Sequence, residues 1–93
     1  MQNNLHDIIV DELIEKKSLA ALIYLIDSGR ELEFTIKGKR YFISCSNSNK
    51  YVSLWYKENE QSFDSVYQLI ENSIIENKDF ISLWEEVEID ELF

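Results

Sequence analysis

The apolar residues of this chain change period near Glu31, and that change is the strongest constraint on its fold. Between Leu5 and Leu13 they fall at helical spacing, and Leu19 to Ile26 form a continuous apolar run. From Leu32 they recur every second position, with Phe34 and Ile36 alternating with Glu33, Thr35 and Lys37. The first period is that of an amphipathic helix, the second that of a strand with one buried face, and neither pattern can serve as the other. Gly29 lies at the junction, where a helix end calls for a left-handed residue. Gly38 supplies the next turn. With Lys37 and Gly38 as a two-residue hairpin loop, Ile36 faces Lys39 and Phe34 faces Tyr41. Leu32, Phe34, Tyr41 and Ile43 then share one face.

The remaining elements follow from the same patterns. Residues 5–17 place Leu5, Ile8, Ile9 and Leu13 at helical spacing, with Asp7 early and Lys16 and Lys17 late, as the helix dipole favours. Ser18 caps a second helix that runs to Ser28; one continuous helix over 5–28 is the alternative. A polar loop over 46–49 leads to a third strand, Tyr51 to Lys57. After polar residues 58–61, Ser62 caps a helix reaching about Ile75, with Phe63, Val66, Tyr67, Leu69, Ile70 and Ile74 as its apolar stripe. A last short helix spans Ile81 to Val87, followed by a tail. The expected fold is α+β in the order α-α-β-β-β-α-α. It is a three-stranded antiparallel meander with helices before and after it, packed on one face. With 93 residues, 45% of them apolar and twelve of them aromatic, the chain has material for one domain with one core, residues 1–17 forming an accessory N-terminal helix.

Charge is distributed unevenly along the chain. Residues 1–61 hold nine acids and eight bases, a balance of −1; residues 62–93 hold nine acids and only Lys78, a balance of −8. Lys and Arg drive binding to a phosphate backbone by releasing counterions, so this composition argues against a direct nucleic-acid binder. It argues equally against an acidic membrane surface. The longest apolar run, Leu19 to Ile26, is far too short to span a bilayer, and the N-terminal residues lack a secretory layout. A cytoplasmic protein is expected.

Chemistry that needs a signature finds none. Two glycines cannot build a phosphate-binding loop, and one histidine (His6) with one cysteine (Cys45) cannot assemble a structural zinc site. The acids do not follow the calcium-loop ladder. Cys45 sits in an alternating apolar segment and reads as a reduced, partly buried side chain that behaves as a small hydrophobe. No cofactor, no metal and no enzymatic activity are expected.

Three surfaces remain as candidates for binding. In the acidic C-terminal third, Asp79, Glu85, Glu86, Glu88, Asp90 and Glu91 lie near Trp84, Leu92 and Phe93. Carboxylates interleaved with aromatics offer the charge and stacking face of a nucleic-acid strand to a basic groove. The alternative puts Trp84 in the core and the acids in water. The second surface is the basic hairpin tip, Lys37, Lys39 and Arg40, with Arg40 able to pair with Glu33 or Glu31. The third is the N-terminal helix, which packs on its own domain or on a second copy to give a homodimer.

From about Leu19 to the end, the pattern resembles a group of small uncharacterised proteins of Firmicutes and their mobile elements. The resembling residues are the helix end Asp27-Ser28-Gly29-Arg30, the strand start Glu31 to Phe34, Gly38-Lys39 before Tyr41, the Ser62 cap, and the closing segment Ser82 to Glu86. The resemblance implies a bacterial or phage source and carries over no activity. In size, acidity and lack of catalytic residues the chain also looks like DNA-mimicking anti-CRISPR proteins. The functional expectation is therefore an acidic inhibitor that occupies the basic groove of a nucleic-acid-binding protein or nuclease, such as an RNA-guided nuclease. An immunity protein against a cognate toxin and a self-associating module are the alternatives.

Overall fold

A computed structural model describes residues 4–46 and 51–93. Helix α1 (Leu5–Lys16) starts where the Asn4 side chain accepts the Asp7 N–H at 2.8 Å. It stops at Lys17, whose left-handed backbone (φ 51°) turns its own N–H back to the Leu13 carbonyl. Ser18 then caps α2 (Leu19–Asp27) by accepting the Ala21 N–H, so the chain makes two helices rather than one.

Strands β1 (Leu32–Ile36) and β2 (Lys39–Cys45) pair in the register expected from Gly38, with Phe34 opposite Tyr41 and Ile36 opposite Lys39. Lys37 (φ 51°) and Gly38 (φ 80°) both adopt positive φ, the geometry of a two-residue turn that follows the natural strand twist. Strand β3 (Val52–Tyr56) pairs with β2, and residues 47–49 of the expected loop lie outside the described residues.

Beyond β3 the fold departs from the sequence expectation. Residues Asn59–Phe63 form a fourth strand, β4, paired with β3, where a polar connector and a Ser62-capped helix were expected. Helix α3 (Val66–Asn72) begins at Ser65, which accepts the Gln68 N–H. Ile74 is outside it, in a small antiparallel arm of β5 (Ile74–Ile75) and β6 (Lys78–Asp79). The last helix is shorter than expected: α4 (Phe80–Leu83) runs into a 3-10 turn at Trp84–Glu86. The expected tail is a fifth strand, β7 (Glu88–Leu92), paired with β1. The protein is thus a small α+β fold with a five-stranded antiparallel sheet in the order β4-β3-β2-β1-β7 rather than a three-stranded meander.

One face of the sheet carries the core. Leu32, Phe34, Ile43 and Leu54 are fully or almost fully buried beneath Leu13, Leu22, Leu25, Leu69 and Phe80. Phe34 stacks on Tyr41 with ring centres 5.5 Å apart and meets Phe80 edge-on at 6.0 Å. No helix among the described residues is long and apolar enough to cross a membrane.

Candidate functional site

Successive residues of a strand point to opposite faces, and residues opposite one another in register point to the same face. Pairing therefore fixes what the outer face of the sheet carries. One cross-strand row reads Glu60, Trp55, Phe42, Glu33, Glu91 from β4 to β7. The next row, toward the Lys37–Gly38 turn, places Arg40 opposite Thr35 and Thr35 opposite Glu88. On the other side lie Ser62, Ser53 and Ser44. No described helix lies on this face; Phe42 and Trp55 are half-buried only by their neighbours.

The edge strand β7 is built irregularly. Glu33 pairs with Glu91 and Phe34 with Ile89, so Asp90 is an extra residue, a β-bulge. The consequence is geometric. Ile89 and Leu92, three apart, both face the core, while Glu88 and Glu91 both face outward. Asp90 joins them, accepting the Thr35 hydroxyl at 2.6 Å. The bulge thus gathers Glu88, Asp90 and Glu91 beside Glu33 on the outer side of one edge. Among the described residues the ion pairs are Lys16–Glu12, Lys37–Glu86 and Lys39–Glu76, so these four carboxylates have no basic side chain within 4.0 Å. Glu33 and Glu91 stand directly opposite one another, a like-charge arrangement that destabilises a sheet.

The other sequence candidates fall elsewhere. Trp84 is only 9% exposed, stacks on Phe80, and donates its indole N–H to the Lys17 carbonyl at 2.9 Å. It belongs to the core and is no stacking surface, its ring lying against Phe80 of α4. Glu85 and Glu86 are exposed on that turn, Glu86 engaged with Lys37 at 3.6 Å, and the Glu85 carbonyl accepts from Lys17. Asp79 caps α4, accepting from the Ser82 N–H and hydroxyl, and these bonds hold its carboxyl below the usual range. Sequence reasoning did not single out Phe42 or Trp55. Their alternation with Tyr41, Ile43, Leu54 and Tyr56 was a signal that both faces of β2 and β3 carry large apolar side chains.

The basic hairpin tip is largely neutralised from within. Lys37 pairs with Glu86 and Lys39 with Glu76, whose hydrogen bond and charge raise the Lys39 ammonium above its ordinary value. Arg40 faces Thr35 rather than Glu33 and makes no ion pair among the described residues. On the helix N-terminal to this region, Leu13 is fully buried while Leu5, Ile8 and Ile14 are exposed.

A cavity of about 180 Å³ lies at the β2-β3-β4 end of the inner face, lined by Lys39, Tyr41, Tyr56, Gln61 and Glu76 among others. Burial and the nearby Glu76 push the Tyr41 hydroxyl upward. The cavity is smaller than the roughly 300 Å³ at which small-molecule pockets begin. The Cys45 thiol is raised by burial, with Glu31 next in effect, which makes it a poor nucleophile. Among the described residues no three His, Cys, Asp or Glu side chains form a group able to hold a metal.

Neither family models, curated proteins nor solved structures give a match to this chain.

Proposed function

We propose that this protein is a non-enzymatic inhibitor that places the acidic edge of its sheet in the basic groove of a nucleic-acid-handling protein. The observation that carries the reading is the bulge at Asp90, which gathers Glu88, Asp90 and Glu91 beside Glu33 without a basic partner among the described residues. Edge strands are often blunted by charge simply to prevent pairing with other chains, and a bulge serves the same end. That role alone does not call for a fourth carboxylate on β1 facing the other three. An incoming Lys or Arg relieves the Glu33–Glu91 opposition, so binding removes an unfavourable term of the free protein as well as adding attraction. A nuclease that guides itself with RNA holds its heteroduplex in a positively charged channel and is the most specific target of this kind.

The test is capture of host nucleases by the wild-type chain and by a double variant, Glu88→Lys with Glu91→Lys. Both positions are exposed, so the variant keeps its fold. The wild type should retain a nuclease and inhibit its cleavage, less so as salt rises through the range where the Debye length shortens to about 3–10 Å. Inhibition that is unchanged in the double variant, or insensitive to salt, refutes the reading.

A further inference from the structure

We infer that the outer sheet face beside this edge is a preformed seat for an arginine side chain of the basic partner. The inference rests on the acidic-edge reading and names the chemistry that reading leaves open. Its basis is the row Glu60-Trp55-Phe42-Glu33-Glu91, in which an aromatic pair is bracketed by carboxylates. Neighbouring strands lie about 4.8 Å apart, so a cation over Phe42 is one strand from Glu33, and one over Trp55 is one strand from Glu60.

The seat is rigid before anything arrives. The Trp55 indole N–H donates to the Ser44 hydroxyl at 3.0 Å, and Phe93 meets Phe42 edge-on with ring centres 5.8 Å apart. Glu60 is held through one oxygen by the Ser53 and Ser62 hydroxyls at 2.6 and 3.0 Å, which leaves its other oxygen open. Aromatic anchors fixed in this way bind with little loss of side-chain freedom. A shallow depression of about 310 Å³ opens over the pair, bordered by Glu33, Arg40, Phe42, Trp55 and Lys57.

Arginine suits this row better than lysine because its planar guanidinium stacks on a ring while its edge meets a carboxylate with two N–H groups. The face as a whole favours a cation: Glu33, Glu60, Glu88, Asp90 and Glu91 outnumber Arg40 and Lys57. Those two bases lie toward the hairpin turn. Both border the depression, so they repel a second cation on that side and limit it to the Phe42–Glu33 side of the pair. The same excess of carboxylates disfavours a nucleic-acid strand on the aromatic pair.

The experiment titrates the full, isotopically labelled chain with hexa-arginine and with hexalysine at low salt, following amide and indole resonances. Hexa-arginine should bind about two- to fivefold more tightly, the range of an exposed cation–π contact, and shift the Trp55 indole and Phe42 amide signals. Trp55→Leu and Phe42→Leu, which keep apolar volume, should erase that preference, while Arg40→Gln should tighten hexa-arginine. Equal affinities with shifts confined to β7 would overturn the arginine seat and leave the acidic edge standing. Binding of neither peptide would overturn both. Binding of oligothymidylate to Trp55, lost in Arg40→Gln, would assign the aromatic pair to nucleic acid and reject the inference.

Discussion

Replacing Trp84 by Phe separates a structural role for this residue from a binding one. The indole N–H donates to the Lys17 carbonyl at 2.9 Å, the ring stacks on Phe80 with centres 5.8 Å apart, and the Lys17 ammonium lies 5.5 Å from the ring centre. Lys17 is the left-handed residue between α1 and α2, so one side chain ties the helix junction to the C-terminal segment. Phe keeps the stack and loses the hydrogen bond, worth about 0.5–1.5 kcal/mol net, and more where the Lys17 carbonyl is left without a partner. The smaller ring also gives up burial worth roughly 1 kcal/mol at about 25 cal/mol per Å². Together these predict a loss of about 2–3 kcal/mol, a large part of the roughly 5–14 kcal/mol expected for a domain of this size. At about 4–8 °C per kcal/mol, Tm should fall by about 10–20 °C. Thermal and urea unfolding, followed by near-ultraviolet circular dichroism, measure it. Partner capture by the still-folded variant should be unchanged. Undiminished stability with lost capture would refute the reasoning and return Trp84 to the binding face.

Two further predictions concern single groups. The Ser73 hydroxyl is fully buried with no hydrogen-bond partner among the described residues, so Ser73→Ala should raise stability by about 1 kcal/mol, and a lower urea midpoint would contradict this. Asp79 has its carboxyl held below its ordinary value by Ser82, so its contribution is present above the unfolded carboxyl value near 3.8 and is lost as pH falls through the lower folded value. Acid unfolding of Asp79→Asn should accordingly show a shallower fall in stability below about pH 4, and a profile parallel to the wild type would count against the cap.

The sequence revealed the first half of the fold well and the second half poorly, for physical reasons that individual residues make plain. Around Gly38 the period-two pattern and the two-residue turn determine one another, and the pairing of Phe34 with Tyr41 follows. Strand β4 was hidden because two of its three core-facing positions, Asn59 and Gln61, are polar, leaving only Phe63 apolar. Gln61 spends its side-chain amide on both backbone groups of Ile74, at 2.8 and 2.9 Å, in place of apolar contact. Strand β7 was hidden because the bulge at Asp90 breaks the period: Ile89 and Leu92 share a face at a spacing of three, which the alternation of a strand does not contain. The acidic concentration was legible as composition, but only Glu88, Asp90 and Glu91 of its nine acids collect on one side of one edge, and that depends on the same bulge. Trp84, read beside Glu85 and Glu86 as part of an acidic aromatic surface, is buried against Phe80 and bonded to the distant Lys17 carbonyl, a contact 67 positions away that single-sequence periodicity does not register.

Strand β7 closes the sheet against β1 across a long stretch of chain, Thr35 and Asp90 being 55 positions apart. Such a pairing brings the largest loop-closure entropy and forms after the local β1-β2 and β2-β3 hairpins have reduced it. A partly folded chain therefore displays Phe42, Trp55 and Glu33 without Glu88, Asp90 and Glu91, which join that face with β7. The complete face exists only once the last strand has docked, so whatever grips Glu33 and Glu91 together holds that strand in place, and occupancy of the edge reports, and protects, the finished assembly of the sheet.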